Sequence, residues 1–296
     1  MAVRLNSLLS PINNTDANFR AWINEIHNSL IAFGWLQTSD SGQINFSTVT
    51  RPTAVDTYQG YAIYKMNDVL QTACPFYMRI DFGTAHFTDD PGIKIQGTVG
   101  GTDGAGNLTG NLTTVLVTNA NLVGAAGALN CRSSGTSSAF RMSFWAGAGA
   151  GSPHGWTFAV ERDKDVTGTD TSRGICLLWC FSTNNTGSAV SIGSWFLETL
   201  GGSLIDTNRW YGVITPNSSQ TAGGTTGAGH IRVPFGHFRN PITGFLMVAR
   251  GDWVNESQDT IVVYGFLHNY VIIRPSGSAL NLNGWNSDCS LAMLWE

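Results

Sequence analysis

The sequence predicts a mainly β protein, built as antiparallel β-sandwich, jelly-roll-like modules with one N-terminal amphipathic helix. Three observations predict it. A single stretch, 15–33, carries apolar residues at helical spacing. Nearly everything after Gly34 reads as short apolar runs at roughly ten-residue intervals, separated by Gly, Asn, Asp and Ser. Several of those runs alternate between apolar and polar side chains, as a strand with two different faces does.

The helix comes first. Phe19, Trp22, Ile23, Ile26, Leu30 and Phe33 fall at i, i+3, i+4, i+7. Asn14 or Thr15 is placed to cap its start, Asp16 suits the first turn, and Gly34 stands where a C′ glycine belongs. "GYAIYKM" (60–66) is the first strong strand, followed by a short turn or single helical run (67–74) that Pro75 stops. "FYMRIDFG" (76–83), "GIKIQGTV" (92–99), "TTVLVT" (113–118), "AFRMSFWAG" (139–147), "GWTFAVERD" (155–163), "GICLLWCFS" (174–182) and "SIGSWFLET" (191–199) follow. "RWYGVIT" (209–215), "HIRVPFG" (230–236), "GFLMVAR" (244–250), "DTIVVYGFL" (259–267) and "YVIIRP" (270–275) complete the series. In "FRMSFW", Phe140, Met142 and Phe144 share one face, and Arg141, Ser143 and Trp145 the other. No linker stands out. The expected division is 1–125, the helix plus a β module, and 126–296, a C-terminal β-sandwich module, with a single domain as the alternative.

Charged residues are 12% of the chain, about half of the roughly 25% usual for soluble domains. Gly, Ser, Thr and Asn take their place, which gives neutral polar surfaces of the kind other subunits cover. The net charge is -4 and no Lys/Arg cluster occurs, so nucleic acid is not expected as a partner. No secretory h-region opens the chain and no apolar run approaches the roughly 18 residues of a membrane span, so no membrane insertion is expected. The scattered Cys74, Cys131, Cys176, Cys180 and Cys289 fit free thiols in a reducing cytosol.

The most conspicuous stretch is "GTVGGTDGAGNLTG" (97–110). It lacks the Lys and following helix of a P-loop, opens no helix as a dinucleotide fingerprint does, and has only Asp103 to offer calcium. It reads as a long turn between strands, and long loops usually have a job; in an oligomer that job is contact with a neighbour. Asp163, Asp165, Thr167 and Gly168 imitate an EF-hand start, but Gly174 stands where the bidentate Glu belongs. His86 with Asp89 and Asp90 reads as a solvated turn, and no His/Cys set has zinc spacing. No cofactor or metal is expected. No G-x-S-x-G occurs. Glu161 and Glu198 remain as acids that a glycosidase would use, ranked below a surface role. The ten tryptophans serve core packing in the first reading and sugar stacking or interface anchoring in the second.

The ordered set "FRAWINEIHNSLIAFGWLQTSDSGQI", "GYAIYKMNDVLQTACPFYMRIDFGT" and "GTDGAGNLTG" resembles virion structural proteins of tailed bacteriophages, over about the first 115 residues. The resemblance implies a non-enzymatic virion protein, made in the host bacterial cytoplasm and assembled in several copies. The position it implies is tail- or neck-associated, as an adaptor or fibre-type component, with a trimer favoured and other virion proteins as partners. A capsid decoration protein and a carbohydrate-binding receptor protein that contacts a host surface glycan are the alternatives. Phe19, Trp22 and Ile26 on the helix, packed on the chain's own sheets or docked on a neighbour, and Thr102, Asp103 and Asn107 in the glycine loop are the expected interface residues.

Overall fold

In the computed structural model the backbone is described for residues 3–9, 15–85, 89, 91–113, 115–117, 129–146, 154–164, 169–182, 192–198, 204–206, 231–237, 240–249, 258–263, 266–273 and 289–294. Side chains are described for Leu5, for most of 15–117, and for 131–144, 158–162, 169 and 170. The described residues form antiparallel sheets and one helix.

The helix, α1 (Asp16–Ala32), is delimited by the signals the sequence carries. The Thr15 side chain accepts from Asn18 N–H at 3.3 Å, and the Asp16 carboxylate accepts from Arg51 N–H at 2.8 Å. At the other end Gly34 has φ +93, Gly34 N–H donates to Ile31 O and Trp35 N–H to Leu30 O, each at 3.0 Å. This is a Schellman closure, and its left-handed residue favours glycine.

Two sheets bury the helix. One has the order β2-β3-β4-β5-β8, from β2 (Leu36–Gln37), β3 (Tyr58–Lys65), β4 (Tyr77–Thr84), β5 (Pro91–Thr98) and β8 (Leu116–Val117). The other has seven strands, in the order β1-β9-β10-β11-β12-β13-β14. They are β1 (Val3–Leu9), β9 (Leu129–Thr136), β10 (Ala139–Ala146), β11 (His154–Lys164), β12 (Asp170–Ser182), β13 (Ile192–Glu198) and β14 (Leu204–Asp206). Toward the seven-stranded sheet, Trp22 meets Phe144 (ring centroids 6.3 Å apart), Phe33 meets Phe140 (5.7 Å), and the Ser29 and Ser133 hydroxyls share a hydrogen bond of 3.3 Å. Toward the five-stranded sheet, His27 Nδ1 lies 2.9 Å from the Tyr64 hydroxyl. Phe19, Ile23 and Ile26 are fully buried, each worth about 1.5–3 kcal/mol relative to exposure.

The apolar cluster joins α1, β3, β4, β5, β9, β10 and β11 through Ala62, Met78, Ile80, Phe82, Ile93, Ile95, Cys131, Met142, Phe158 and Val160, among others. The boundary expected at 125/126 falls between β8 and β9, and this cluster draws on residues from both sides of it. β1 crosses it too, pairing with β9 from Val3↔Gly135 to Leu9↔Leu129. A second five-stranded sheet, of order β15-β16-β19-β18-β17, contains β15 (Ile231–His237), β16 (Asn240–Ala249), β17 (Gln258–Val263), β18 (Phe266–Ile273) and β19 (Cys289–Leu294). The expected strand at 209–215 lies outside the described residues, and the expected strands at 259–267 and 270–275 are redistributed between β17 and β18.

In β10 the alternation read from the sequence separates two buried faces rather than an inner and an outer one. Phe140, Met142 and Phe144 are in the apolar cluster. On the opposite face Arg141 and Glu161, 2% and 3% exposed at their side chains, form an ion pair in which Arg141 Nε donates to Glu161 Oε2 at 2.7 Å. Nearby, Arg162 pairs with Asp68 and donates to Cys74 O at 2.9 Å, fastening the turn at 68–73 to β11.

The edge of the five-stranded sheet beside β3 is closed by side chain as well as backbone. Thr38 N–H donates to Ile63 O (2.9 Å) and Ile44 N–H to Tyr61 O (2.7 Å), while Ile63 N–H donates to the Gln43 side-chain oxygen at 2.8 Å. Gln43 is held by Gln37 Nε2 (3.0 Å) and by its own donation to Thr38 O (2.7 Å). Its carboxamide thus stands in for a strand's peptide group. Residues 44–49 continue over the helix, where Asn24 Nδ2 donates to Phe46 O and Arg20 Nη1 to Val49 O.

Candidate functional site

The glycine-rich stretch is a folded hairpin laid back on its own sheet. β6 (Gly101–Thr102) pairs with β7 (Leu108–Thr109) in the register Gly101↔Thr109, Thr102↔Leu108. The tip is closed by Asp103: Oδ1 accepts from Ala105 N–H (2.8 Å) and Asn107 N–H (3.0 Å), and Oδ2 accepts from Asn107 Nδ2 at 2.7 Å. Asp103 N–H in turn donates to Asn107 O at 3.1 Å. The Asn107 side chain, then the two backbone amides, hold the Asp103 carboxyl below its ordinary range. The charge of this carboxylate is spent on the loop's own donors, so it is a turn-former rather than a metal ligand.

Five residues far off in sequence or on the sheet below fix the hairpin. Ser41 N–H and Oγ both donate to Gly104 O (2.9 and 3.2 Å), and Gly106 N–H donates to Asp40 Oδ1 at 3.3 Å. Arg79 Nη1 donates to Gly106 O at 2.7 Å, and the Tyr61 hydroxyl donates to Ser41 O. Thr98 Oγ1 closes the base by donating to Thr109 O (2.8 Å). Arg79 is itself seated, with its guanidinium 4.1 Å over the Tyr61 ring and Nη2 at 2.6 Å from Asp81 Oδ1. Gly106 makes the close approach possible: a Cβ there would stand 1.8 Å from the Tyr61 hydroxyl, and its φ is +97. The glycines therefore serve backbone-to-backbone and backbone-to-ring packing, and the loop has the geometry of neither a phosphate cradle nor a calcium loop.

The structure brings Thr102, Asp103 and Asn107 together in this hairpin, with Thr102 half-buried and Asp103 and Asn107 exposed. It places Phe19, Trp22 and Ile26 elsewhere: all three are completely buried against the chain's own sheets, the first of the two arrangements expected for the helix. A neighbour reaches those three side chains only if the core opens. Asp40, Ser41, Tyr61 and Arg79 carry no local signal of their role; Ser41 and Gly104 are 63 positions apart.

Glu161 is buried and paired with Arg141. The side chains of Glu198, Asp163, Cys176 and Cys180, and all of His86, Asp90, Asp165, Thr167 and Gly168, lie outside the described residues. Asp89 pairs with Arg51 at 3.6 Å. Among the described residues no three His, Cys, Asp or Glu side chains come together as a metal site, and no helix is long and apolar enough to cross a membrane. Of the tryptophans with described side chains, Trp22 and Trp35 are core residues. Tyr58 and Tyr61 are half-buried, with Lys94 and Arg79 stationed over their rings. No protein-family model and no curated protein sequence matches this chain.

Proposed function

We propose that this chain is a non-enzymatic structural component of a tailed-phage virion, a tail- or neck-associated adaptor or fibre-type protein assembled as a homo-oligomer, with its sheets arranged as jelly-roll-like sandwich modules. The observation that carries the reading is the hairpin at 97–110. Its tip is ordered before any partner arrives, because Asp103, Asn107, Ser41, Asp40 and Arg79 have already spent the entropy of fixing it. What it presents outward is Asp103, Gly104, Ala105 and Asn107, a small patch with few free rotamers. Low charge across the chain and the ordered motifs of the first 115 residues support the same reading. A trimer is the favoured assembly, with the hairpin completing the contact between neighbours.

The test is immunogold labelling of intact particles with antibody raised against the purified chain, alongside sedimentation of the chain itself. Label at the tail or neck and an oligomer in solution are the expected results. Label spread over the head makes it a decoration protein instead. A monomer that labels no particle overturns the proposal.

A further inference from the structure

A sheet edge is a row of unpaired backbone donors and acceptors, and proteins guard such edges with short strands, prolines, bulges or covering loops. The edges here can be compared one by one. The β3 edge is covered by β2 and then by Thr38, Gln43 and Ile44. β8 has two residues and β14 three. β15 carries Pro234 and a register break between Pro234 and Phe235. β17 has six residues with an acid, Asp259, second in the strand. β1 also carries one charge second in the strand, Arg4, but it is the longest unbroken edge of these: seven residues, VRLNSLL, in continuous register with β9, with no proline and no bulge, and with no strand beyond it among the described residues.

We infer that the outer edge of β1 pairs antiparallel with β1 of a second copy of this chain, joining two seven-stranded sheets about a two-fold axis at Asn6. The inference rests on the homo-oligomer reading above. The register suits self-pairing: with Asn6 opposite Asn6, Val3 faces Leu9, Arg4 faces Leu8 and Leu5 faces Ser7. Val3 meets an apolar position and Leu5 a small one, Leu8 lies opposite Arg4, and the strand's one charge never stands opposite itself. The two Arg4 positions fall about 14 Å apart along the strands, beyond the roughly 8 Å screening length at physiological salt. A two-fold contact is isologous, so it closes on itself and cannot run on into a filament. It pairs protomers, and on a trimeric ring it joins two rings face to face.

The full chain tests this with two variants, Asn6→Cys and Asn6→Lys, each sedimented beside the parent. The expected results are an even number of copies in the parent, six where the favoured trimers are joined in pairs, a reducible covalent dimer on oxidation of Asn6→Cys, and half the parent's mass for Asn6→Lys at low salt with unchanged far-ultraviolet circular dichroism. The parent oxidised in parallel controls for its own cysteines. An oligomer with an odd number of copies, or one in which Asn6→Cys fails to link two chains on oxidation, overturns the β1 contact and leaves the homo-oligomer standing. A monomeric parent overturns both. Should Asn6→Lys fail to fold, the cysteine cross-link still decides.

Discussion

Replacing Gly106 by alanine tests whether the hairpin is fastened as described. Two costs are separable. The positive φ of +97 charges an L-residue about 1–2 kcal/mol. The new Cβ also stands 1.8 Å from the Tyr61 hydroxyl and 2.3 Å from the ring carbon bearing it, so either the ring or the tip must move. Moving the tip gives up the Arg79–Gly106 O bond, a hydrogen bond to a charged donor worth about 1.5–3 kcal/mol. The sum is roughly 2.5–5 kcal/mol. Gly104 is the internal control: its φ is +76, but nothing lies within 4 Å of its would-be Cβ, so Gly104→Ala costs only the conformational part, about 1–2 kcal/mol. Urea unfolding followed by fluorescence, extrapolated linearly to water, reads both. Gly106→Ala should lose about 1.5–3 kcal/mol more than Gly104→Ala. Losses equal within about 0.5 kcal/mol, a margin that separates sites acting alike, would refute the packing of the hairpin on Tyr61.

Two further outcomes follow from buried polar groups. Burial holds the His27 imidazole below its ordinary 6.5, so the folded protein binds that proton less well than the unfolded chain. The stabilisation is full above pH 6.5 and declines as the pH falls through 6.5 toward the lowered folded value; His27→Gln should flatten the drop in Tm between pH 8 and pH 5, and an identical drop in parent and variant would contradict it. Glu161→Gln leaves the Arg141 guanidinium buried without its counter-charge and should cost about 3–5 kcal/mol, whereas Arg141→Met with Glu161→Leu should recover much of it. A Glu161→Gln variant as stable as the parent in urea would mean that the pair is not buried as described.

The helix was legible almost to the residue, because its periodicity, cap and closing glycine are all local: Thr15, Phe19 to Leu30, and Gly34. The strands at 60–66, 76–83, 92–99 and 139–147 were legible within a residue or two for the same reason. β1 and β9 were not. "VRLNSLL" and "LNCRSSGT" have mixed or weak alternation: β9 becomes a strand as the hairpin partner of β10, and β1 by pairing with β9 across more than a hundred residues. The candidate site divides the same way. Asp103, Asn107 and the glycines announce a turn, but the seat beneath it is assembled from Asp40, Ser41, Tyr61 and Arg79, which only the sheet brings together. The covering of the β10 face by Arg141 and Glu161 was equally out of reach, since alternation distinguishes two faces without saying that both are buried.

The shared core has a consequence for how the chain is made. The wall against which Trp22 and Phe33 pack is supplied by Phe140 and Phe144. Those residues emerge from the ribosome about a hundred positions after the helix, roughly 5–20 s later at usual elongation rates. The β2-to-β8 sheet emerges strand by strand within that interval and, once complete, shelters only one side of α1. The nascent chain therefore offers an aromatic helix face to whatever holdase is nearby, and slowing translation between 35 and 130 should lengthen that exposure rather than help folding.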